Sequence, residues 1–278
     1  MSRFSNNLKT AVLLGGLTGL FVVAGSAMGE RYIIPALVMG IIMNFGVWFF
    51  SDKLALAAMH AREVDAQTGG DLYRMVDELR QRAGLPMPRV YICPHEAPNA
   101  FATGRSPNKA AVAVTEGALR LLNREELEGV MAHELAHIKN RDTLISAIAA
   151  TISGVLATVA YYGMWFGGGN NREGSNALVA ILTVIIAAVG AALIKAAISR
   201  SREFVADHDG AVIAGSPVGL ASALQKLESY GRRIPLNQPN PAMNNMFIVE
   251  PFLGTSLLKI FATHPPTDDR IAALMRMR

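Results

Sequence analysis

Cysteine is almost absent: Cys93 is the single one in 278 residues. No internal disulfide can form, and no multi-cysteine metal knuckle can be built. One thiol also fits a reducing compartment. Charge is scarce as well, at 17% of residues against 51% apolar, and the mean hydropathy is positive, +0.29. Long stretches carry no charge at all, which argues against an ordinary soluble protein. Aromatics make up 7%, and no basic stripe is interleaved with them. A nucleic-acid partner is therefore not expected, although the net charge is +4. The cations stand instead beside apolar segments, where they read as membrane orientation. No internal repeat and no low-complexity tract occurs.

What is present is four uncharged stretches, each long enough to cross a bilayer core, which takes about 20 helical residues. The first lies between Lys9 and Glu30, and the second between Arg31 and Asp52. The third runs from after Asp142 to about Phe166, and the fourth from about Asn176 to the residue before Lys195. The first two must form a tight helical hairpin, because almost nothing joins them. Gly167–Gly168–Gly169–Asn170–Asn171 reads as the turn of the second pair. Arg3, Lys9, Lys53, Arg62, Lys139, Arg141, Lys195, Arg200 and Arg202 gather on one side; only Arg31 and Arg172, each beside a glutamate, lie on the other. The positive-inside rule then puts both termini and the 52–142 segment in the cytoplasm. Two rivals remain: a cleavable signal peptide over residues 1–28, and buried core helices of a soluble enzyme for spans three and four.

The expected organisation is a transmembrane hairpin over 1–51, a cytoplasmic part over 52–142, a second hairpin over 143–197 and a second cytoplasmic part over 198–278. Leu72, Met75, Val76 and Leu79 repeat at helical spacing before Gly84 and Pro86. Arg89–Cys93 and Ala110–Val114 read as short strands around a Gly/Pro-containing loop. Asn123 with Glu126 three residues on resembles a capping box. The helix it opens meets no breaker before Leu144. Gly219–Tyr230 and Pro266–Arg278 read as helices, and 231–255 as a Pro/Asn-rich loop.

His133-Glu134-Leu135-Ala136-His137 carries the chemistry. Positions i and i+4 share a helix face, so the two imidazoles can converge on one metal ion. Glu134 then lies where it can take a proton from a water that zinc acidifies, and pass it to a leaving amine. Two histidines and a water leave a tetrahedral site one protein ligand short. Glu203, just past the fourth span, is the candidate, since the second hairpin returns it beside His133 and His137. Asp207, one turn further on, can accept a hydrogen bond from a ligand histidine and fix its tautomer. His60, His95 and His208 stand alone or at unhelpful spacing and read as surface or capping residues.

These residues resemble the HtpX-type membrane zinc peptidases, relatives of the CAAX prenyl proteases. The resemblance rests on Asn99-Ala100-Phe101-Ala102-Thr103-Gly104, the His133–His137 helix, Glu203-Phe204-Val205-Ala206-Asp207 and His264-Pro265-Pro266. It implies a mainly α membrane protein: four transmembrane helices with a cytoplasmic, gluzincin-like zinc-peptidase domain containing a small β-sheet. It implies one Zn2+ per subunit on His133, His137 and Glu203. It also implies endoproteolysis of misfolded or damaged membrane proteins and unfolded polypeptides in stress-response quality control at the inner membrane. Asn99 and His264 are implied to hold the substrate carbonyl, a role suited to an amide or an imidazolium. The strand holding Ala110, Val112 and Val114 is expected to offer an edge to an extended substrate. Other readings stay open at this point: a processing enzyme with one dedicated substrate, a scaffold or chaperone with structural zinc, and a transporter. The transporter would need polar groups inside the spans.

Overall fold

In the computed structural model of the chain, residues 3–148, 200–233 and 265–277 are described. Two long apolar helices come first, α1 (Arg3–Met28) and α2 (Ile33–Ala58), joined by a 3-10 turn at Glu30–Tyr32. They run antiparallel: a Cβ at Gly40 would touch Thr18, one at Gly25 would touch Ala36, and the Asn44 amide donates to the Leu14 carbonyl at 2.7 Å. The two helices therefore form an antiparallel hairpin, with α2 running on to Ala58. Glu30–Ala58, 29 residues, is long and apolar enough to cross a membrane. Ile34, Ile41, Ile42 and Phe45 on α2 are more than half exposed, a large apolar patch that lipid would cover. At its far end the Arg105 guanidinium lies 4.3 Å from the Phe49 ring centroid, and Lys53 lies over Phe50.

A four-stranded sheet follows, with β1 (Arg62–Val64), β2 (Arg89–Cys93), β3 (Ala100–Thr103) and β4 (Ala111–Thr115) in the order β1-β2-β4-β3. β2 and β4 run parallel, pairing Val90 with Val112; β3 returns antiparallel on the other side of β4, pairing Ala102 with Val112. This corrects one expectation. Ala110, Val112 and Val114 do not lie on a free edge. β4 is interior, with both flanks of its backbone bonded, and the Ala110 carbonyl accepts the Arg89 N–H at 3.1 Å. Among the described residues, β3 carries no strand on its outer side.

The helices pack on this sheet. Between β1 and β2 runs α3 (Gly70–Ala83), ended by Gly84 at φ +68, where a side chain would be strained. After β4 come α4 (Glu116–Leu121) and α5 (Arg124–Asn140); then, among the described residues, α6 (Arg200–Ala214), α7 (Val218–Arg233) and α8 (Thr267–Met275). The capping box on α5 is formed: Glu126 N–H donates to Asn123 Oδ1 at 2.9 Å, and Asn123 N–H to Glu126 Oε2 at 2.9 Å. Glu126 also accepts from Ser222 Oγ and Lys226 Nζ, tying α5 to α7. Every residue from Gly129 to Ala136 is buried, so α5 is a central helix rather than an amphipathic surface one. It also stops sooner than expected, at Asn140, because Arg141 turns into the left-handed region (φ 61) and caps it. Residues 143–148 resume a helix, and Ile145 and Ile148 pack on Leu17 and Val47 of the first hairpin. The rest of spans three and four, with the Gly167–Asn171 turn, falls outside the described residues, as do residues 234–255 of the expected loop.

Candidate metal centre

Close helix packing brings the site together. α6 crosses α5 at Gly210, where a Cβ would sit 2.9 Å from His133 Cα and 3.0 Å from its nitrogen. Only a glycine lets the two backbones approach this closely, and that approach carries Glu203, nearly two turns earlier on α6, to the histidines. His133 Nε2 stands 3.2 Å from His137 Nε2, 3.7 Å lies between His133 Nε2 and Glu203 Oε2, and 3.6 Å between His137 Nε2 and Glu203 Oε1. All three donor atoms lie within 4.8 Å of one another. A tetrahedral zinc ion, with N and O ligands at about 2.0–2.1 Å, spaces its ligands about 3.4 Å apart. The distances, and the two-imidazole, one-carboxylate donor set, fit zinc. Both Nδ1 atoms are turned away to carboxylates, so both Nε2 atoms face the centre. His133 Nδ1 lies 3.0 Å from Asp207 Oδ1, within ion-pair range though not aligned as a hydrogen bond. His137 Nδ1 lies 3.3 Å from Asp142 Oδ2.

Glu134 is 5% exposed. Burial raises its pKa, against the lowering effect of the two histidines and of a hydrogen bond from the Ala102 N–H. That bond places the outer edge of β3 directly beside Glu134. Asn99 directly precedes the same strand, three residues before Ala102 and about 10 Å away along the extended chain. It is buried and held through its backbone, with N–H to Thr115 Oγ1 at 2.8 Å. His264 lies outside the described residues. His60 and His208 are exposed, and His95 bonds the Met59 carbonyl; none of the three is among the grouped donors.

Arg270 on α8 was not foreseen. It is 1% exposed and donates to both oxygens of Asp207, Nε to Oδ2 at 2.8 Å and Nη2 to Oδ1 at 2.7 Å. Burial would raise the Asp207 pKa, but the Arg270 charge and hydrogen bonds win and hold it at about 2. A signal existed: Arg270 stands one turn before the buried Leu274, on the inward stripe of a short helix.

Burial would lower the pKa of His137, but the Asp142 hydrogen bond and the Glu203 and Glu134 charges overcome it and raise it to about 9. The zinc-free site therefore holds a proton on His137 at neutral pH, and that proton must leave when metal binds. Zinc binding at pH 7.5 should release about one proton from this residue, and affinity should fall on acidification. Titration calorimetry in buffers of different ionisation enthalpy measures the release; a value near zero would contradict the assignment.

Comparison with known proteins agrees with the geometry. The model of peptidase family M48 matches residues 66–278. A protease HtpX homolog of Sulfurihydrogenibium sp. is 50% identical over 283 residues, covering 97% of this chain and 95% of the relative. Those of Methylibium petroleiphilum and Pyrococcus furiosus are each 49% identical, covering 98% and 97% of this chain and 98% and 95% of theirs. The crystal structure of S. mikatae Ste24p shares the fold, with a TM-score of 0.50 at 15% identity; the match covers 97% of this chain but 64% of that one. A match running from before α3 to the last residue, with near-half identity along almost the whole length, shows that this chain belongs to peptidase family M48 and is a zinc metallopeptidase.

Proposed function

We propose that the protein is a membrane-integrated endopeptidase whose zinc site faces the cytoplasm and which cleaves misfolded or damaged membrane proteins and unfolded polypeptides. The observation that carries the reading is the convergence of His133, His137 and Glu203 with Glu134 held between them and β3. Zinc, when bound there, supplies Lewis acidity for a water and for the scissile carbonyl. The chain's own residues do the rest. Glu134 removes the water's proton and returns it to the leaving amine, and its raised pKa brings it nearer the working pH. The outer edge of β3 is the reading for substrate pairing in place of β4, since main-chain bonds there demand little of the substrate's sequence. Asn99 and His264 would hold the carbonyl.

The bilayer reading is supported by the exposed apolar face of α2 and by the cations over aromatic rings at its end, a pattern suited to the headgroup layer. Four crossings, over 1–51 and 143–197, and cytoplasmic placement of 52–142 and 198–278 follow from the charge distribution. Purified protein should hydrolyse casein, lose this activity to a chelator and regain it with zinc. A Glu203→Ala variant should lose both metal and hydrolysis; undiminished zinc and hydrolysis in that variant would overturn the reading.

A further inference from the structure

We infer that Asp142 is a positioning residue for the metal centre, and that Arg202 and the left-handed turn at Arg141 exist to hold it there. The inference rests on the reading of His137 as a metal ligand and goes beyond it. The starting point is a backbone outlier. Among the described residues only His60 and Arg141 adopt positive φ without being glycine. Such conformations are unfavourable for a residue with a side chain, and one that persists at a site points to a function.

Here the turn has a clear product. Arg141 N–H donates to the Ile138 carbonyl at 3.1 Å, and Asp142 N–H donates back to the His137 carbonyl at 3.0 Å. A continued helix would carry residue 142 more than a full turn away from His137. The reversal brings the Asp142 carboxylate beneath the imidazole instead, with Oδ2 at 3.3 Å from Nδ1. Asp142 is 4% exposed, so this contact is little screened by water.

The other carboxylate oxygen meets a second element. Arg202 Nη1 lies 3.5 Å from Asp142 Oδ1, and Arg202 is 5% exposed. Arg202 directly precedes Glu203 on α6. The Asp142–Arg202 pair thus joins the end of α5, which bears His137, to the start of α6, which bears the carboxylate ligand. Behind the other imidazole, Arg270 holds Asp207 and Asp207 faces His133 Nδ1. Each imidazole is therefore backed by an aspartate, and each aspartate by a buried arginine. Asp142 keeps the proton of His137 on Nδ1 and leaves Nε2 with its lone pair directed at the ion. Thr143, the next residue, bonds the Gly104 carbonyl at 2.7 Å. This fixes the same turn to the loop after β3.

The test compares the full-length parent with Asp142→Ala, Asp142→Asn and His137→Ala. Zinc affinity is read by chelator competition, and ligand geometry by the visible spectrum of the cobalt(II) form. Asp142→Ala should weaken zinc binding by roughly 10–100-fold and shift the cobalt bands. Asp142→Asn keeps an acceptor oxygen and should recover most of the affinity and a spectrum close to the parent's. Either a parent-like affinity or a parent-like cobalt spectrum in Asp142→Ala overturns the inference, as does an asparagine variant no better than the alanine one. If His137→Ala itself retained zinc at parent affinity, the ligand assignment would be at fault instead.

Discussion

Replacing Glu134 by glutamine should leave zinc in place and cut peptide hydrolysis by between about 10²- and 10⁴-fold, the range for loss of a positioned acid–base group. The substitution is nearly isosteric. A glutamine carbonyl can still accept the Ala102 N–H that anchors the native carboxylate, so β3 and α5 keep their spacing. The three metal donors are untouched. What disappears is a basic site of raised pKa within a buried pocket, and nothing else described there replaces it. Asp207 is held at about 2 by Arg270 and is turned to the outer side of His133. Equal zinc content with activity reduced at saturating casein is the expected pattern. This variant also separates an enzyme from a zinc-stabilised scaffold. A scaffold has no use for an ionised Glu134 and would keep its function, whereas structural sites close all four positions with protein ligands. Full hydrolysis by the variant would remove Glu134 from the mechanism.

Some of this centre could be read directly along the chain, and the reason is spacing. His133 and His137 are one helical turn apart, so helix geometry alone joins them. The same holds for Asn123 and Glu126, whose capping box formed as expected. β2 matches its expected limits, Arg89–Cys93, because turn-forming residues bound it on both sides. β3 was harder. Ala100–Thr103 is four residues long and buried throughout, so it shows neither the length nor the alternation that marks a half-buried strand. Missing it made β4 look like an edge. The pairs least visible in the sequence are those set by tertiary packing. Asp142 adjoins the metal helix, but its contact with His137 depends on a residue with a side chain taking a left-handed turn, which no propensity favours. Arg270 meets Asp207 from 63 positions away, and a lone cation on a short terminal helix ordinarily faces water.

Arg270→Ala should be the most destabilising single change near the centre. Removing one partner of a buried ion pair costs about 3–5 kcal/mol, because the remaining charge is left without compensation. Asp207 is 1% exposed and loses both guanidinium hydrogen bonds at once. Glu203, 3.8 Å from the same guanidinium, also loses a neighbouring positive charge. Lysine is expected to restore only part, since a single ammonium cannot match the fork that spans Oδ1 and Oδ2. The pH dependence gives the signature. Asp207 has a folded pKa of about 2, below its ordinary 3.8. Its contribution to stability is therefore present above about pH 4 and lost as pH falls through 2. Without Arg270, burial acts unopposed by that cation, and Asp207 takes up a proton at a higher pH than in the parent. The stability gap between parent and variant should be widest near pH 7 and narrow towards pH 3. Adding Asp207→Asn to Arg270→Ala removes the uncompensated charge and should recover part of the loss. Thermal unfolding of the zinc-free proteins in detergent across this pH range measures both effects. A gap that did not change with pH, or a double variant no more stable than Arg270→Ala, would show that Arg270 acts by packing and not by balancing the charge behind His133.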